Sequence, residues 1–126
     1  MARRTGPSSA VVDAVLERQD RDCAKCGEPL HGERAVDWAI HHRRRRDGLP
    51  DSHQPQNLVA LHGADNVTAC HGWAHQRRSE SQPEGFWLSR VAGENPLTVP
   101  LLLSGERWVY LTADGRYSDE PPEVAA

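Results

Sequence analysis

The stretch that decides the fold is AVDWAIHHRRRRDGLPDSHQPQNLVALHGADNVTACHGWAH, residues 35–75. Residues 35–42 alternate apolar and polar side chains loosely enough for a strand that ends on His41 and His42. Residues 43–52 are a polar loop broken by Gly48 and Pro50, and Asn57 opens a second short strand, NLVALH. After a turn at residues 63–68, residues 69–79 read as a helix with Trp73 or Ala74 turned inward. The order is strand, strand, helix.

Outward from this segment, Ser8 or Ser9 can cap an amphipathic helix, SSAVVDAVLERQD, whose Val11, Val12, Val15 and Leu16 share one face. Cys23-Ala-Lys-Cys26-Gly27 follows, a Cys-x-x-Cys pair closed by the glycine of a tight turn, as in a zinc knuckle. Beyond Gly85 the chain turns aromatic and β-branched, with strand candidates at residues 86–91, 97–103 and 108–112. The expected organisation is a tail over 1–7, a core over 8–80, a β-rich appendage over 81–118 packed on that core, and a second, acidic and proline-bearing tail over 119–126.

A chain of 126 residues with 37% hydrophobic side chains is one modest domain, somewhat short of apolar surface. Small domains of this kind recruit disulfides or a metal. Three cysteines, Cys23, Cys26 and Cys70, are an odd number with one close pair, which argues for metal ligation over a disulfide framework. The N-terminus carries two arginines but no apolar core of a signal peptide, and no apolar run approaches the roughly 20 residues that span a bilayer. A cytoplasmic protein with no membrane partner is the expectation.

The net charge of −3 is unevenly spread: residues 1–78 carry 12 Lys plus Arg against 10 Asp plus Glu, and residues 79–126 carry 3 against 8. A polyanion would meet the first part. All seven histidines fall between residues 31 and 75. His71 and His75, four apart on a helix, can grip one ion together. His41 and His42, adjacent on a strand, must point to opposite faces, so one can join that ion while the other takes a proton from water. This division suits phosphodiester hydrolysis.

These residues resemble the HNH endonucleases of the ββα-metal, or His-Me finger, group over roughly residues 20–80. The resemblance implies an α+β fold: a ββα-metal core with a zinc knuckle, an N-terminal helix and a C-terminal β appendage. It implies that His42 is the general base, that His41, His71 and His75 ligate one catalytic divalent ion (Mg, Mn, Ni or Zn), and that Asn57 holds the ββ loop, and with it His42, through backbone hydrogen bonds. Many members carry two cysteine pairs flanking the core; here the third position reads His62, so Cys23, Cys26, His62 and Cys70 would form a Cys₃His structural zinc site. His31 or a water molecule would also serve as the fourth ligand.

Arg43, Arg44, Arg45 and Arg46 follow the catalytic pair, and Arg77 and Arg78 follow the helical pair; they are read as phosphate contacts on double-stranded DNA. The function expected is a metal-dependent endonuclease that nicks or cuts DNA. Short stand-alone proteins of this layout resemble those of bacteriophages, some of which assist genome packaging, which extends the implied partners to a terminase or other packaging protein and the compartment to the host cytoplasm. The competing expectation is a zinc-knuckle nucleic-acid-binding or adaptor protein without catalysis.

Overall fold

The structure is a computed structural model, and residues 6–45 and 48–122 are described. The chain forms a small α+β domain with two small antiparallel sheets and a few helices: α1 (Ser9–Arg18), β1 (Trp38–His42), β2 (Leu58–His62), α2 (Ala69–Gln76), α3 (Arg78–Ser81), β3 (Leu101–Leu103), β4 (Arg107–Leu111) and β5 (Tyr117–Ser118). No helix among the described residues is long and apolar enough to cross a membrane.

The β1–β2 hairpin is the centre. Its strands are antiparallel, with Ile40 opposite Ala60 and His41 opposite Val59. Period-2 alternation then divides its side chains between two cores. Trp38, Ile40, Leu58 and Ala60 pack with Val12, Val15 and Leu16 of α1, while Val59 and Leu61 pack with Ala74 of α2 and with Phe86, Leu101, Val109 and Leu111. Helix α1 begins where the Ser8 hydroxyl accepts from the Val11 N–H at 3.2 Å. Gln19, just past its end, treats the edge of β2 as a partner strand: Oε1 accepts from the Ala60 N–H and Nε2 donates to the Ala60 carbonyl, at 2.8 and 3.0 Å.

Several expected boundaries move. The first strand begins at Trp38 rather than residue 35, because Ala35 takes φ +68°, outside any strand conformation. Asn57 does not open β2; it ends a short 3₁₀ turn, Pro55–Asn57, that aims its side chain into the loop. The second helix breaks at Arg77, where ψ is 58°, into α2 and α3. Residues 86–91 are not a strand: only Leu88 pairs, in one isolated bridge with Arg44, because the backbone here is drawn toward the 43–57 loop. The candidate at residues 97–103 shortens to Leu101–Leu103, since a turn closes on Asn95 before it, and a fifth strand at Tyr117–Ser118 was not legible. Residues 1–5 and 123–126, most of the two expected tails, lie outside the described residues; Asp119, in the second, pairs with Arg107.

Arg43 corrects a functional expectation. Instead of meeting DNA it is fully buried, and its guanidinium donates to the carbonyls of Gly85, Gln56, Pro96 and Val99 at 2.7–2.9 Å. Burial pulls its pKa down, yet the carbonyl cage satisfies the charge with four dipoles. Arg44 is likewise buried, 6% exposed, and ion-paired with Asp51. Together they tie the hairpin loop to the C-terminal segment. Arg43→Met, which keeps an unbranched apolar stem but removes the donors to all four carbonyls, is expected to lower unfolding free energy by about 3 kcal/mol or more in urea titrations; an unchanged midpoint would contradict this anchoring.

Candidate metal centres

Two clusters of ligating side chains come together, each with its ligand atoms within 4.8 Å of one another: His41, His71 and His75, and Cys23, Cys26, His62 and Cys70.

The imidazole cluster follows from secondary structure. His71 and His75 lie one turn apart on α2, with ring centroids 4.9 Å apart, and His41 reaches them from β1 at 5.2 and 5.0 Å. The approach of α2 to the loop before it requires Gly72, where a Cβ would stand 2.5 Å from the Val67 carbonyl carbon. His41 Nε2–H donates to the Phe86 carbonyl at 2.6 Å, which fixes the tautomer and leaves a lone pair on Nδ1. The Nδ1 atoms of His41 and His71 are both buried with no hydrogen-bond partner among the described residues. Buried nitrogens of this kind are normally satisfied, so two of them on rings of one three-imidazole cluster fit a cation. The charge state fits as well. Burial holds His41 well below the usual imidazole value, helped by its histidine neighbours and opposed by the Phe86 carbonyl. Burial also lowers His71, and burial with His71, Arg78 and Arg45 brings His75 to about 4. All three are neutral at cellular pH, the form that donates a lone pair.

His42 faces away from that cluster along the strand, as parity demands, yet lines with His71 and His75 one cleft of about 360 Å³ that also includes Arg45, Arg34 and Trp87. His42 Nε2 lies 3.0 Å from His53 Nδ1, so one ring's N–H donates to the other ring's bare nitrogen and sets the rotation of both. Asn57 is fully buried behind it. Its Oδ1 accepts from the Arg44 N–H at 2.8 Å, and its Nδ2 donates to the carbonyls of Arg44 and Ser52 at 3.0 and 3.1 Å, a peptide-like clasp across the loop that follows His42.

The cysteine cluster joins three elements: the knuckle after α1, the end of β2 and the start of α2. His62, not the exposed His31, completes it. His62 Nε2–H donates to the Pro29 carbonyl at 2.9 Å, so its Nδ1 lone pair faces Cys26 Sγ 3.3 Å away, close to the ~3.5 Å between S and N ligands of a tetrahedral zinc. Gly27, at φ +78°, turns the knuckle. A hydrogen bond from Cys70, with backbone N–H groups of the knuckle and His62, brings Cys23 to about 4, whereas the same Cys23 contact raises Cys70 and burial raises Cys26. One thiolate thus forbids the next, unless a divalent cation neutralises all three. The cluster is compatible with a zinc site.

Of the arginines read as DNA contacts, Arg45 and Arg78 border the cleft region, Arg77 is exposed and turned to Glu80, and Arg46 lies outside the described residues. His53, Trp87 and Arg34 were missed: nothing in local spacing marks them, and the crowding of histidines between 31 and 75 was the only signal for His53. No family model, curated protein or solved structure matches the chain.

Cobalt loading separates the ligand sets, because only thiolates give sulfur-to-cobalt charge-transfer absorption. The band is expected in the wild type and His31→Ala, and weakened or lost in Cys26→Ala and His62→Ala; equal loss in His31→Ala would reassign the fourth ligand.

Proposed function

We propose that the chain is a metal-dependent endonuclease of the HNH, or ββα-metal, type, acting on double-stranded DNA. The observation that carries this reading is the convergence of three neutral imidazoles, two of which, His71 and His75, line one arginine-bordered cleft together with a fourth, His42. The β1–β2 hairpin followed by α2 supports the same reading, as does the Asn57 clasp on the loop behind His42. A divalent ion held by His41, His71 and His75 would supply Lewis-acid stabilisation to charge developing on phosphate oxygen.

The chain's own residues do the rest. His42 is the general base: it accepts a proton from water as the water oxygen forms a bond to phosphorus and the bond to the 3′ oxygen breaks. His53 holds the ring of His42 in one rotation, and Asn57 holds the backbone beneath it. Arg45, exposed at the cleft, offers donors to non-bridging phosphate oxygens. A zinc on Cys23, Cys26, His62 and Cys70 is structural in this reading, since protein fills all four positions and fastens β2 to the start of α2.

The test is supercoiled-plasmid cleavage with Mg²⁺, Mn²⁺, Ni²⁺ and EDTA. Wild type is expected to nick with at least one ion and not with EDTA. His42→Ala is expected to fold and bind DNA normally but to lose cleavage by roughly two to four orders of magnitude. No cleavage with any ion would favour the non-catalytic zinc-knuckle binding protein instead.

A further inference from the structure

Two of the three clustered imidazoles are confined in ways that His75 is not. His41 is 1% exposed and donates from Nε2 to the Phe86 carbonyl, and His71 is 7% exposed. His75 is half-buried in the last turn of α2, and no hydrogen bond to its ring is present among the described residues. What bears on it instead is Trp87. The two rings meet with centroids 5.1 Å apart and planes at 76°, the edge-on arrangement that aromatic pairs favour. Trp87 is itself held from both sides. The Arg78 guanidinium carbon stands 4.0 Å from the centroid of its ring. Along the backbone, the Phe86 carbonyl accepts from His41, and the Leu88 N–H donates to the Arg43 carbonyl at 2.8 Å. Residues 86–88 therefore address two of the three imidazoles, with a carbonyl for His41 and a ring for His75.

We propose that Trp87 is a positioning residue for the imidazole centre, holding His75 in the rotation that places its ligand nitrogen within 4.8 Å of those of His41 and His71. The proposal rests on the reading that these three imidazoles share one ion, and it does not depend on the substrate which that ion serves. A loosely held imidazole near a helix end gives up rotational freedom when an ion binds, and that loss weakens binding. A ring already held by a neighbour loses little. Groups that orient a metal ligand from outside in this way change affinity by about 10–100-fold when they are removed.

The experiment is calorimetric titration of the full chain with Ni²⁺, without DNA. Binding that disappears in His41→Ala belongs to the imidazoles and is the quantity compared. Trp87→Ala is expected to weaken it by about 10–100-fold. Trp87→Leu, which fills part of the same space without a flat ring, is expected to weaken it as well, and Trp87→Phe to stay closer to the wild type than either. A double-mutant cycle separates positioning from a general structural role: on the His75→Ala background, Trp87→Ala is expected to cause no further loss, because the ring that Trp87 steadies is gone. Should Trp87→Ala fail to fold, Trp87→Leu replaces it in the cycle. A loss of the same size in both backgrounds, or wild-type affinity in the substituted protein, would overturn the positioning role. The failures are separable. Absence of any Ni²⁺ binding that depends on His41 removes the shared ion and the positioning role together, and His41-dependent binding that ignores Trp87 removes the positioning role alone. An intact cycle in a protein that cleaves no plasmid removes the nuclease alone.

Discussion

The alternation of side chains along β1, locked by its register with β2, is the constraint on which the rest of the molecule depends. With His41 opposite Val59, His41 enters the space between the hairpin and α2, and His42 is sent the other way. A slip of one residue would exchange them, burying His42 beside His71 and His75 and leaving His41 at the cleft wall. Three devices prevent that slip. Gln19 pins Ala60 at the strand edge, the Asn57 amide clasps Arg44, and the Arg43 guanidinium gathers carbonyls from both the loop and the C-terminal segment. The loop arginine next to the site therefore works as an anchor.

Cys70 and His71 make the second half of the geometry. They are neighbours at the start of α2, and about 100° of helical rotation between them directs one to the cysteine cluster and the other to the imidazoles. Fixing Cys70 against Cys23, Cys26 and His62 fixes the pitch at which α2 delivers His71 and His75 to His41. The two clusters also differ in chemistry. Thiolates that forbid one another are compatible with a tightly held zinc, whereas a set of three neutral imidazoles would hold an ion more weakly and leave room for oxygen ligands. In the proposed function the first cluster is structural and the second holds an exchangeable ion.

Much of this was legible in sequence because it depends on short-range periodicity. The i, i+4 spacing of His71 and His75, the opposed faces of His41 and His42, and the Cys-x-x-Cys-Gly turn are local rules that tertiary structure did not override. The failures are long-range. Residues 86–91 have strand composition, but Leu88 is drawn to the backbone of Arg43 and Arg44, a pairing across some 45 positions that no window sees. An arginine run reads as a solvated cationic loop, and only packing could reveal that Arg43 meets carbonyls from residues 56, 85, 96 and 99. His53 and Trp87 are ordinary residues in sequence and acquire meaning only beside His42 and His75.

The central claim is that His41, His71 and His75 share one divalent ion while His42 stands outside the ligand set. Anomalous diffraction from crystals soaked in manganese or nickel, collected at the absorption edge of that metal, tests this directly. The account predicts a peak within ligand distance of the His41, His71 and His75 rings and beyond that distance from His42. A peak that includes His42 as a ligand, or no peak among the three imidazoles at a metal concentration that supports cleavage, would contradict it.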